Sequence, residues 1–169
     1  MIFFDNVYIA IIGPLSFTIL NYISCKKDLI KIMEREEEQK DGYGTVYYAL
    51  SLLILAICTF GIFNNPDVGL VAVLTMAFGD GFAALVGKNI KSKKYYVKGT
   101  EKSIAGSSAM FIISAILVGT YLFMAGSGLW FAKTIIITAI VTLLEAISIK
   151  GTDNITVPLS VYLMICLAI

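Results

Sequence analysis

Apolar residues fall in long blocks separated by short polar breaks, near residues 6–24, 45–63, 68–87, 104–124, 129–149 and 155–169. Most of the blocks are close to the roughly 20 residues that an α-helix needs to cross a hydrocarbon core about 30 Å thick. The last is short, since 15 residues rise only about 22 Å at 1.5 Å each. The pattern predicts an all-α, polytopic transmembrane helical bundle of about six spans, forming one integral-membrane domain over residues 1–169. The first block lacks a basic leader and precedes further spans of the same kind, so it is expected to be a span and not a cleaved signal.

The breaks differ in character. Asn64-Asn65-Pro66-Asp67 and Ala125-Gly126-Ser127-Gly128 are turn signals that join their spans tightly. Lys26 to Asp41 is longer and places Lys27, Lys31 and Arg35 on one helical stripe, which reads as a helix lying on the headgroups. Lys88 to Ser103 is also long and carries Lys88, Lys91, Lys93, Lys94, Lys98 and Lys102, whereas Lys150 to Asn154 is brief.

Composition supports the membrane reading: 58% of residues are hydrophobic and the mean hydropathy is +0.85, far from a soluble domain. The net charge of +1 selects no partner. Histidine is absent, which excludes histidine-based metal sites and acid–base catalysis; Cys25, Cys58 and Cys166 are isolated in apolar runs and form no disulfide or zinc pattern. All of the 13 basic residues except Lys133 fall in the breaks after spans one, three and five. The positive-inside rule puts those breaks in the cytoplasm and both termini outside. Asp80, Lys102, Glu145, Asp153 and Asn154 then lie at cytoplasmic helix ends.

Those polar residues are where chemistry is expected. An ionised carboxylate within a span costs about 2.5–3.5 kcal/mol on insertion scales, so Asp80 and Glu145 call for partners or a polar cavity. Gly79, Ala83 and Gly87 share a face with four-residue spacing, which admits either a neighbouring helix or a ligand. Asp153 and Asn154 open the last span, where one of them is an ordinary helix cap. Lys102 and Ser103 introduce span four, whose first backbone N–H groups can hold an anion. Gly99-Thr100-Glu101-Lys102-Ser103 lacks the glycines of a nucleotide-binding P-loop, and no strand is expected before it. Lysines attract a polyphosphate and the acids repel it unless a divalent cation intervenes, so a magnesium-assisted phosphoryl-transfer site at the lipid interface is the resulting hypothesis. The competing readings are a solvated basic loop with structurally paired acids, and a transporter or non-catalytic membrane partner, although no inverted repeat is visible.

At these residues the chain resembles the polyprenol kinase family, which includes dolichol kinases, phytol kinases and CTP-dependent diacylglycerol kinases. The carrying segments are Met76 to Gly81 with Ala83, Ala84 and Gly87; Lys102-Ser103 with Gly106 and Ser107; Glu145-Ala146; Asp153 to Leu159; and Gly44 to Tyr48. The resemblance implies transfer of a phosphoryl group from CTP, or another nucleoside triphosphate such as ATP, to the hydroxyl of a polyprenol, a phytol-like alcohol or a diacylglycerol. It implies Asp80, Lys102, Glu145 and Asp153 as catalytic residues, with magnesium on Asp80, Asp153 and Glu145. Gly79, Gly87, Lys88, Lys102, Ser103, Gly106 and Asn154 are implied to bind nucleotide. Longer members carry a further amino-terminal segment with a basic pair and a histidine, and this sequence begins at what looks like their next span. CDP-lipid synthases share similar acid, glycine and lysine motifs and are the rival enzyme class. No nucleic-acid partner is expected, and the lipid, the donor base and any oligomer stay open.

Overall fold

The computed structural model describes residues 7–27, 44–149 and 151–169, and most of them are helical. In chain order, α1 runs Val7–Lys27 and α2 runs Gly44–Ala56, continuing as a π-helical segment over Ile57–Ile62. Then α3 spans Pro66–Leu74, passes through a second π segment at Thr75–Asp80, and resumes as α4, Gly81–Asn89. A two-stranded hairpin follows, β1 at Lys94–Val97 and β2 at Thr100–Ser103, and the chain ends with α5 (Ile104–Met124), α6 (Trp130–Ile147) and α7 (Asp153–Ala168). The six predicted apolar blocks are thus six helical rods, the third of them built from α3, the π segment and α4. Four rods, Gly44–Ile62, Pro66–Asn89, Ile104–Met124 and Trp130–Ile147, are long and apolar enough to cross a bilayer; the first and last are shorter apolar helices. Most of the basic stretch expected to lie on the headgroups, and Lys150, fall outside the described residues.

Leu55, Val68, Met110, Val118, Leu122, Val141, Val157, Val161 and Ile165 form the buried centre, drawn from α2, α3, α5, α6 and α7. Large apolar side chains such as Ile112, Ile116, Phe131, Ile136 and Leu143 point outward, as they must when the surrounding solvent is lipid. The turns have the expected chemistry. Asn64 and Gly126 adopt positive φ, Pro66 occupies the first turn of α3, and Ser127 N–H donates to the Leu122 carbonyl to close α5.

The hairpin corrects the expectation that no strand precedes span four. Lys98 and Gly99 both have positive φ, the requirement of a two-residue type I′ turn. Flanking it, Lys94 pairs with Ser103, Tyr95 with Lys102, Tyr96 with Glu101 and Val97 with Thr100. The outer face carries a Lys94–Glu101 salt bridge of 2.5 Å and a 2.6 Å hydrogen bond from Tyr96 Oη to Glu101 Oε2. Of the lysines that made this segment look like a solvated loop, Lys94 and Lys102 lie on opposite faces of the ribbon and Lys98 in its turn.

The glycine stripe is used for close helix packing. A Cβ on Gly79 would lie 2.6 Å from Met110 Sδ, one on Gly87 2.8 Å from Ser103 Oγ, and one on Gly106 2.8 Å from the Ala83 carbonyl. The α4 backbone thereby approaches the start of α5 so closely that the hairpin between them lies against the mouth of the bundle.

Candidate active site

Lys102, the penultimate residue of β2, points inward to where α6 ends and α7 begins. Its ammonium donates to Glu145 Oε1 at 2.6 Å, to Asp153 Oδ2 at 3.1 Å and to Ser148 Oγ at 3.2 Å. Three N–H donors meet three acceptors, so the cation is fully satisfied. Glu145 occupies the last turn of α6, Ser148 the extended residue just beyond it, and Asp153 the first turn of α7. Ser148 Oγ also stands 2.7 Å from the Glu145 carbonyl and 2.9 Å from Asp153 Oδ2; its single proton serves one of these at a time.

The group is buried: 15% of the Lys102 side chain, 4% of Glu145 and 11% of Asp153 remain exposed. Charges so placed are held by partners or not at all. Burial by itself would lower the pKa of Lys102, but Asp153 and Glu145 outweigh it and hold the ammonium above its ordinary value. One ammonium faces two carboxylates, which leaves the cluster with a formal surplus of one negative charge when all three groups are ionised.

The surrounding contacts fix each acid. Ser107, on the first turn of α5, lies 3.3 Å from Glu145 Oε2 and 2.7 Å from Tyr95 Oη. Asp153 Oδ1 accepts from the Asn154 backbone N–H at 3.1 Å. Asn154 Nδ2 donates to the Gly44 carbonyl at 3.3 Å, and Gly151, with φ +80°, brings its backbone against Gly44 so closely that a Cβ would fall 2.8 Å from that residue's Cα. The start of α2 is thereby locked to the α6–α7 turn, and neither Asp153 nor Asn154 acts as the N-cap, which is Thr152.

The first N–H groups of α5, expected to hold an anion, have partners within the protein. Ile104 N–H donates to the Lys93 carbonyl, Ala105 N–H to Ser92 Oγ and Gly106 N–H to Ser103 Oγ. The helix start is capped by the protein itself, and Ser103 is its N-cap.

Of the sequence candidates, Lys102, Glu145 and Asp153 meet, with Asn154 and Ser103 adjoining them in the chain. Lys88 is exposed at the end of α4, and Gly79, Gly87 and Gly106 pack helices. Asp80 ends the π segment, half-buried, where that segment packs on α5 and α7. No cluster of three metal-ligating side chains forms among the described residues; the cation shared by Glu145 and Asp153 here is the lysine's own. Ser148 and Tyr95 were missed. Ser148 follows Glu145 by three residues, one helical turn, and Tyr95 becomes visible only once the hairpin register pairs it with Lys102.

No protein-family model and no solved structure matches the chain. Curated proteins do. A phytol kinase of Synechocystis is 34% identical over 128 residues, which is 73% of this chain and 54% of that protein. A probable chloroplastic phytol kinase of Triticum aestivum is 30% identical over 147 residues, 80% of this chain and 48% of the relative. Homologues at 30–34% identity are thus named phytol kinases, consistent with a polyprenol and phytol kinase family. It spans about half the length of these relatives. An uncharacterised protein of Methanocaldococcus jannaschii is also 30% identical, over 72% of this chain and 64% of its own length.

Proposed function

We propose that this chain is a lipid-alcohol kinase, transferring the terminal phosphoryl group of a nucleoside triphosphate, CTP by family resemblance, to the hydroxyl of a phytol-like or polyprenol alcohol at the cytoplasmic membrane face. The observation that carries this reading is the buried Lys102–Glu145–Asp153 cluster at one mouth of an apolar bundle whose relatives are named phytol kinases. Phosphoryl transfer asks little covalent chemistry of a protein and depends mainly on positioning and charge neutralisation. In this reading Lys102 turns part of its donor capacity to the phosphates. Glu145, at the end of a membrane helix, receives the proton of a lipid hydroxyl arriving sideways from the bilayer, and Asn154 fixes the α7 start against α2.

The acids suit magnesium in a limited sense. The ion takes one or two protein carboxylates and completes its shell with water and phosphate oxygens, and carboxylate oxygens that already accept one bond keep further lone pairs. Asp153 would hold it, with Asp80 the further ligand that the family resemblance implies; when bound it would offset the negative charge of the triphosphate. The surplus negative charge of the cluster fits a site that receives its nucleotide together with a divalent cation.

The test is to incubate purified protein in lipid nanodiscs with CTP or ATP and a panel of phytol, polyprenol and diacylglycerol. Label from the γ-phosphate appearing in the lipid supports the kinase reading. Label from the α-phosphate with release of pyrophosphate indicates a CDP-lipid synthase instead, and transfer to none of the panel overturns both.

A further inference from the structure

The hairpin holds Glu145 by both of its oxygens. Lys102 on β2 takes Oε1 at 2.6 Å. Directly across the ribbon, Tyr95 on β1 is the register partner of Lys102, so the two side chains stand on the same face of the hairpin. Tyr95 reaches Oε2 through one intermediary: its hydroxyl is 2.7 Å from Ser107 Oγ, and Ser107 Oγ is 3.3 Å from Glu145 Oε2. The direction of these bonds follows from the acceptors. An ionised carboxylate only accepts, so Ser107 donates its single proton to Glu145 and Tyr95 donates to Ser107.

We propose that Tyr95 and Ser107 are positioning residues for Glu145 in phosphoryl transfer, an inference that rests on the kinase reading above. Neither hydroxyl contacts the reacting atoms. Together they fix the carboxylate plane, so that the acid meets an incoming lipid hydroxyl in one orientation and the hairpin cannot shift without turning it. In a reaction that gains most of its rate from geometry, a misplaced acid lowers turnover and leaves nucleotide affinity untouched.

Steady-state kinetics of purified wild type, Tyr95→Phe, Ser107→Ala, Ser107→Thr and the Tyr95→Phe/Ser107→Ala double variant test this. Detergent unfolding midpoints serve as the folding control, and Tyr95→Phe is the mild variant that retains its ring packing. The expected result is a roughly tenfold to hundredfold fall in kcat for Ser107→Ala and a smaller fall for Tyr95→Phe, with the KM for nucleotide unchanged. Ser107→Thr, which keeps the hydroxyl, should restore most of the rate, and the double variant should be no slower than Ser107→Ala alone. Wild-type kcat in Tyr95→Phe and Ser107→Ala overturns the proposal, as does a raised nucleotide KM at unchanged kcat, or a double variant whose losses multiply. A wild type that phosphorylates no lipid alcohol overturns the kinase reading itself, an outcome distinct from active wild type with unaffected variants.

Discussion

The two ends of the bundle each place a lysine against helix termini, and they use it differently. At one end Lys133 donates to the Ala168 carbonyl at 2.6 Å and to Ser127 Oγ at 2.8 Å; among the described residues it pairs with no carboxylate. That is the work of a cap, a cation satisfying the last carbonyl groups of a helix. At the other end Lys102 meets Glu145, Asp153 and Ser148, and the acids outnumber it. Capping explains every atom around Lys133. It does not explain why two carboxylates were brought below the surface at the Lys102 end, since an apolar group of equal size is often at least as stable as a buried ion pair. A buried acid in excess of structural need is a sign of function.

The largest effect expected from breaking this contrast is at Lys102. Lys102→Met leaves two buried carboxylates facing each other and should cost about 3–5 kcal/mol, read as a lower unfolding midpoint in detergent, with loss of transfer to lipid. Adding Glu145→Gln and Asp153→Asn to that variant removes the repelling charges together. The triple variant should recover most of the stability and none of the activity, which separates the two roles of the cluster. The same ion pairing has a pH signature. Because the folded-state pKa of Lys102 lies above its ordinary 10.5, its stabilising contribution is complete below that value and is lost as pH rises through the folded one. Wild type and Lys102→Met should therefore converge in stability only above pH 10.5.

Smaller effects are expected away from the charges. Gly106→Ala drives a methyl against the Ala83 carbonyl and should cost about 1–3 kcal/mol through separation of α4 and α5, with a matching drop in rate because the hairpin between them moves. Lys133→Met should cost about 1–2 kcal/mol for lost hydrogen bonds and leave lipid phosphorylation within about twofold; a collapse of activity there would erase the distinction between the two ends. Glu101→Gln, on the exposed outer face of the hairpin, should leave the unfolding midpoint unchanged, since solvent-screened pairs contribute little.

How much of this was legible beforehand depended on the range of the interactions. The helical rods were readable because span length and apolar run are one quantity in a bilayer, and the turns at Asn64 to Asp67 and Ala125 to Gly128 carried their own chemistry. Glu145, like Asp80, was identifiable as a charge too costly to place within a span without a partner, whereas Lys102 and Asp153 stood out only as polar residues at helix starts. The hairpin was not, because strands of four residues are too short to show a period among six lysines. Nor were the π segments at Ile57–Ile62 and Thr75–Asp80, whose residues have the hydropathy of any span.

The sequence by itself determined that this chain lives in a membrane, where its helices begin and end, and which few ionised groups demand an explanation, because hydrophobic transfer and helix termination are local properties of the residues. Only the tertiary structure decided what those groups pair with. Lys102 and Glu145 are 43 residues apart and Lys102 and Asp153 51; their meeting depends on Gly87 and Gly106 drawing α4 against α5, on a type I′ turn aiming Lys102 inward, and on Gly151 folding the α6–α7 turn onto Gly44. Such pairings arise from backbones fitting together in three dimensions, and no run of neighbouring side chains encodes them.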